Sequence, residues 1–217
     1  MKKVLVCSEK RMELLYQDLK KEGYLKMDNE IINGDVYILP PSLSKEKFIL
    51  QYPSLKDKVL IDREDYYLES DLQVNAKYTA QATLSVLLSL IQCDMDNIAV
   101  DVIGYGRCGK AIYKLLNKLG IQTRVITRQL LEGVYCHGYD LYKASEIVIN
   151  TQDDICFSVN AFKECKLILD IASNQTFHED IIQSNRYHQL KGLPSKYVLI
   201  DAAKLLKTAI WRYFYEK

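Results

Sequence analysis

Apolar and polar positions along this chain switch repeatedly between two periods. Short, nearly continuous apolar runs at Val4 to Cys7, Val36 to Leu39, Lys58 to Ile61, Ile98 to Ile103, Thr123 to Thr127, Ile147 to Asn150 and Leu167 to Ile171 read as buried strands. Between them lie patterns of helical period. Met12, Leu15, Tyr16 and Leu19 fall at i, i+3, i+4 and i+7, with Ser8 placed to cap that helix and Gly23 to stop it. Thr79, Thr83, Leu87 and Ile91 form one stripe of a helix over 76–92. Ile112, Leu115, Leu116 and Leu119 share a face of a helix from Gly109 to Leu119, which Gly120 ends. The charged stretch REDYYLESD (63–71) reads as a surface connection, Leu190 to Pro194 as a last short strand, and Lys196 to Tyr215 as a helix. Strands alternating with helices predict an α/β protein with a parallel sheet covered by helices. Residues 1–74 make a smaller α/β domain and 75–196 a second one.

Composition narrows the class. The chain has 217 residues, 48% of them hydrophobic, which supplies a core and excludes a disordered or collagen-like chain. Lys plus Arg number 29 against 28 acidic residues, a balance that argues against a nucleic-acid partner. The cysteines Cys7, Cys93, Cys108, Cys136, Cys156 and Cys165 form no CxxC pair, and no His/Cys cluster has zinc spacing, so no metal is expected. No apolar run reaches the roughly 18 residues of a membrane span, and the N-terminal run is too short for a signal peptide. A cytoplasmic protein with free thiols is the expectation.

The chemistry-bearing segment is IAVDVIGYGRCGKAIYKLLNKLGIQTRVITR (98–128). Gly104, Gly106 and Gly109 form G-x-G-x-x-G between a predicted strand and a predicted helix. The first glycine permits a tight turn, the second lets backbone approach a pyrophosphate, and the third lets the helix pack on the strand. A helix N-terminus then offers N–H groups and a positive dipole end to phosphates. The alternative is a plain turn with no ligand. At the end of the next strand an NAD enzyme usually carries Asp or Glu; here stand Thr127, Arg128 and Gln129. With no carboxylate to repel a 2′-phosphate, Arg128 can pair with one, and Arg107 and Arg124 are nearby cations. The alternative for Arg128 is a solvated loop arginine. The dinucleotide-binding set is Gly104, Tyr105, Gly106, Arg107, Cys108, Gly109, Thr127, Arg128, Asn150 and Thr151, with NADP as cofactor.

Other groups carry weaker signals. His137, His178 and His188 are scattered and read as surface or packing histidines. Asp101 interrupts an apolar strand, either as a functional carboxylate or at a hydrogen-bonded position beside the glycine turn. Cys108 lies near a helix N-terminus, where a thiolate is stabilised, or is simply a small residue that the loop tolerates. The C-terminal WRYFYEK suits an interface between copies as well as a packed helix end.

With GDVYILP (34–40), NAKYTAQATL (75–84), VIGYGRCGKAI (102–112), SEIVINT (145–151), ILDIAS (168–173) and GLPSK (192–196), the chain resembles the family formed by the A-type subunit of dipicolinate synthase. That family lies within the D-2-hydroxyacid-dehydrogenase-like and adenosylhomocysteinase-like Rossmann proteins. The resemblance implies a Rossmann-type sheet in 75–196, and a C-terminal helix (197–217) crossing back to the smaller N-terminal domain. It also implies NADP-linked oxidation of a small cyclic carboxylated substrate at an interdomain cleft, with a flavoprotein-like partner subunit. By position in these segments, Thr79, Gln81, Ser173 and Lys196 are the candidate catalytic residues. The departures fall on the substrate side. Thr79-Ala80-Gln81-Ala82 replaces Thr-Ala-Glu-Gly, Gln152 replaces a proline, Asn174-Gln175-Thr176 replaces Pro-Gly-Gly, and the segment after GLP is largely lost. The alternative function is therefore a non-catalytic NADP-binding subunit or sensor of the same fold.

Overall fold

The structure is a computed structural model; it describes every residue except 92, 93, 95, 96, 129, 130, 135, 139–141, 155, 156, 175 and 217, and only the backbone of Cys136 and His137. Gln129, Gln175, Cys93, Cys156 and the His137 side chain thus lie outside the described residues. The chain divides into two compact units, Met1–Asn75 with Pro194–Lys217, and Ala76–Leu193.

The first unit contains β1 (Lys3–Val6), α1 (Lys10–Leu19), β2 (Leu25–Met27), β3 (Val36–Ile38), α2 (Lys45–Gln51), β4 (Val59–Ile61) and α3 (Arg63–Tyr66). Its four strands are parallel in the order β2-β1-β3-β4. Alternation along the strands feeds two cores. Leu5, Val36 and Ile38 face Met12 and Leu15 of α1, while Val4, Val6 and Tyr37 face Phe48 of α2. Apolar side chains on both faces are what a parallel sheet covered by helices requires.

Two expectations fail in this unit. The α1 cap position is Glu9, not Ser8, and its side chain makes no capping bond; it pairs instead with the buried Arg11 and accepts from Ser42 Oγ at 2.9 Å. The stretch 63–71 is no surface connection. Asp62 and Asp65 form a capping box on α3, and Tyr66 and Tyr67 are buried, with Tyr66 Oη donating to Leu39 O at 3.0 Å. The charges there cap helix ends, while the tyrosines supply the core.

The helix α4 (Glu69–Leu90) begins in the first unit and continues into the second. The second unit holds β5 (Ala99–Ile103), α5 (Arg107–Lys118), β6 (Gln122–Ile126), β7 (Cys136–His137), β8 (Ile147–Asn150), β9 (Leu167–Asp170), α6 (Glu179–Ile182) and β10 (Tyr187–Gln189). Its parallel sheet runs β10-β9-β8-β5-β6-β7, which is the 3-2-1-4-5-6 order of dinucleotide-binding domains read from the other edge. The last strand precedes the expected Leu190–Pro194, because Gly192 turns at φ +65° and Leu193-Pro194 open a helix instead. That helix, α7 (Leu193–Tyr197), is followed by α8 (Leu199–Tyr215), whose Leu206, Ala209 and Ile210 complete the core of the first unit. Among the described residues, no helix is long and apolar enough to cross a membrane.

Candidate functional site

In the second unit the strand order reverses between β5 and β8, and the C-terminal ends of the strands at such a switch point are where open parallel sheets form a ligand crevice. The glycine turn fills one side of it. Gly104 leaves β5 at φ +88°, a conformation that favours glycine, and its N–H donates to Ile126 O at 2.9 Å. A Cβ on Gly104 would meet Thr151 Oγ1 at 2.8 Å, and one on Gly109 would meet the Gly104 carbonyl oxygen at 2.1 Å. Both glycines are therefore demanded by protein packing. Gly106 is different. Its φ of −70° suits any residue, and a Cβ there would have nothing within 4 Å. The protein leaves space above this residue at the N-terminus of a 12-residue helix, and that terminus has no side-chain cap. Backbone donors, a positive dipole end and an open cradle fit a pyrophosphate.

The other dinucleotide-binding candidates gather around this turn. Thr151 braces it, donating from both its N–H and Oγ1 to Ile103 O at 2.9 Å. Asn150 is fully buried and committed to the loop: Nδ2 donates to Asp170 Oδ1 (2.8 Å) and Gln152 O (3.1 Å), while Oδ1 accepts from Gln152 N at 3.0 Å. Tyr105 packs edge-on against Tyr113, with ring centroids 5.8 Å apart. Arg107 is exposed on the first turn of α5, and Thr127 is half-buried just beyond β6. Arg128 is exposed and paired with Asp154.

Arg124 is not a phosphate cation. It sits beside Asp101 in the register of β5 and β6, and its guanidinium forks onto that buried carboxylate at 2.9 Å through both Nε and Nη2. Asp101 is accordingly the hydrogen-bonded alternative among the two sequence readings. Cys108 is likewise no activated thiolate: burial pushes its thiol up, against a hydrogen bond from Thr79 and the charge of Arg107. The dipole argument fails there because desolvation outweighs it.

The substrate-side candidates fall on α4, beyond β9 and on α7. Thr79 is buried on α4 and tied to Cys108, Gln81 is exposed one half-turn further along, and Ser173 is exposed beyond β9. Lys196 is exposed on α7, in the first unit. His178 caps α6, its Nδ1 accepting from Asp180 N at 3.3 Å.

Sequence reasoning missed Asp170. At the crevice end of β9 it is fully buried, accepting from Tyr187 Oη (2.6 Å), Asn150 Nδ2 (2.8 Å) and Ala172 N (3.1 Å), and burial is the main cause that pushes its carboxyl up. The available signal was a polar residue closing an apolar strand, the position where parallel sheets place site residues.

Burial also raises the Cys7 thiol from 9.0 to about 12 and the Cys165 thiol to about 11. The unfolded chain therefore releases these protons first as pH rises, and each contribution to stability is lost between about pH 9 and the folded value. The denaturation midpoint is expected to fall between about pH 8 and about pH 10.5, less so after Cys7→Ala with Cys165→Ala, and iodoacetamide is expected to modify both thiols slowly near neutral pH. Equal midpoints across that range count against buried, protonated thiols.

No family model matches the chain, and no curated protein matches it in sequence. Among solved structures, the A-type subunit of dipicolinate synthase from Bacillus halodurans superposes with a TM-score of 0.78 at 16% identity, covering 100% of this chain and 98% of that one. Its counterpart from Bacillus subtilis gives 0.75 at 16% identity, covering 100% and 96%. A D-isomer-specific 2-hydroxyacid dehydrogenase from Lactobacillus delbrueckii ssp. bulgaricus, solved in complex with NAD, gives 0.53 at 10% identity, covering 99% and 97%. Over its full length, the chain has the dehydrogenase-type α/β fold seen in the A-type subunit of dipicolinate synthase.

Proposed function

We propose that the chain is an NADP(H)-dependent oxidoreductase similar to the A-type subunit of dipicolinate synthase, acting on a small cyclic carboxylated substrate. The observation that carries this reading is Gly106, an open glycine that no packing contact and no backbone conformation requires, at the N-terminus of α5 beside the strand-order switch point. The dinucleotide would supply hydride transfer. The glycine turn and the N-terminus of α5 would hold its pyrophosphate, Thr151 would keep that turn in place, and Arg128 would meet the 2′-phosphate. The substrate-side candidates remain Thr79, Gln81 and Ser173 in the second unit and Lys196 in the first. A cytoplasmic setting, association with further copies and a flavoprotein-like partner subunit belong to the same proposal.

The second reading, a non-catalytic dinucleotide-binding subunit, draws on the engagement of Thr79 with Cys108 and on Gln81 where a carboxylate is expected. Consumption of the cyclic dipicolinate precursor with NADP, followed by nicotinamide absorbance, separates the two. Because Arg128 is 61% exposed, its contribution is screened. Calorimetric titration is expected to show NADPH binding about three- to tenfold more tightly than NADH. Equal affinities, or tighter NADH, would remove the assignment to NADP, and absence of both would remove the dinucleotide.

A further inference from the structure

Three side chains bracket the glycine turn. Arg128, two residues beyond β6, donates to Asp154, four residues beyond β8, and Asp154 Oδ1 also accepts from Gln152 Nε2 at 2.6 Å. Since β5 lies between β6 and β8, this bracket joins the loops on the two sides of the turn that follows β5. Gln152 stands against the turn itself, its Cβ 3.3 Å and its Oε1 3.5 Å from where a Gly104 side chain would begin. The carboxylate that sequence reasoning found missing at the end of β6 is therefore delivered from the other side of the crevice.

We propose that Asp154 is the resident anion of Arg128 and a determinant of dinucleotide specificity: a 2′-phosphate must displace it, whereas a free 2′-hydroxyl leaves the bracket closed. The proposal rests on the dinucleotide reading of the glycine turn. A guanidinium fork accepts either a carboxylate or a phosphate, and holding both anions at one fork incurs like-charge repulsion. Arg128 and Asp154 are each 61% exposed, so the pair is weak enough to exchange. Asp154 thus lowers the preference that Arg128 creates, and Gln152 keeps it in place when Arg128 lets go.

The test is titration calorimetry of the full chain with NADPH and NADH, using wild type, Asp154→Asn, Arg128→Ala and the double variant at one fixed ionic strength. Asp154→Asn is expected to tighten NADPH by about three- to tenfold and to change NADH by less than about twofold. Arg128→Ala is expected to weaken NADPH alone, and adding Asp154→Asn to it to change NADPH by less than about twofold. A merely structural role would move both dinucleotides together. An unchanged NADPH-to-NADH ratio in Asp154→Asn, or an equal shift of both, overturns the proposal while leaving the site standing. Failure of wild type to bind either dinucleotide overturns the site and the proposal together.

Discussion

Gly106→Val is expected to weaken dinucleotide binding by more than about a hundredfold while changing stability by no more than about 1 kcal/mol. The backbone at Gly106 (φ −70°, ψ −167°) is extended, a conformation open to valine, and a Cβ there would touch nothing within 4 Å. The modest cost to stability is that of replacing a tolerated helix N-cap with a poor one. The large cost to binding comes from branched carbon filling the space a pyrophosphate needs. Gly109→Ala is the opposing control. Its Cβ would stand 2.1 Å from the Gly104 carbonyl oxygen, a backbone atom that cannot swing aside. That variant is expected to lose about 3 kcal/mol or more of stability, because helix α5 must move off the turn. Calorimetry with NADPH, paired with denaturant unfolding, reads both effects. If Gly106→Val binds as wild type does, the glycine turn is not the site.

The local part of this site is legible in the sequence. Glycine spacing, the strand before it and the helix after it are all short-range properties, and β5, α5 and β6 lie within two residues of their expected bounds. What the sequence does not encode locally is the order of strands. Gln152 meets Gly104, Asp154 meets Arg128, and Asp170 meets Asn150 only because β8 lies beside β5 and β9 beside β8. Arg124 reads as a phosphate cation for the same reason: nothing in one dimension shows Asp101 standing next to it across the β5–β6 ladder. Cys108 shows the complementary error, a correct local dipole argument overruled by burial. In the first unit, β2 (Leu25–Met27) escapes a sequence reading because Lys26 interrupts the apolar run by which the equally short β3 and β4 are recognised. The segment 63–71 misleads because average polarity hides the two buried tyrosines between its charges.

Asp101→Ala is expected to destabilise the second unit by about 3–5 kcal/mol, the scale of breaking a buried ion pair from one side. The carboxylate is fully buried, and both of its oxygens are saturated. Oδ1 accepts from Arg124 Nε and Ser145 Oγ at 2.9 Å, and Oδ2 from Arg124 Nη2 at 2.9 Å and from Tyr142 Oη and Ser145 N at 2.8 Å. Removing it strands a guanidinium, a phenol and a backbone N–H at once, each of them part of how residues 142–145 are held to the sheet. The phenol responds to the same surroundings, since burial and the neighbouring Asp101 push the Tyr142 hydroxyl well above its ordinary range. Asp101→Asn keeps one acceptor oxygen and should cost less, about 2–3 kcal/mol. Arg124→Met with Asp101→Leu should recover part of the single-variant loss and no more, because Tyr142 Oη and Ser145 N still lack an acceptor. Urea unfolding gives the magnitudes, and amide exchange along β5 locates them; a loss below about 1 kcal/mol for Asp101→Ala would mean that water replaces the carboxylate. At temperatures where Asp101→Asn stays folded, dinucleotide affinity should remain within about threefold of wild type. That outcome would assign Asp101 to the frame that carries the glycine turn rather than to the chemistry above it.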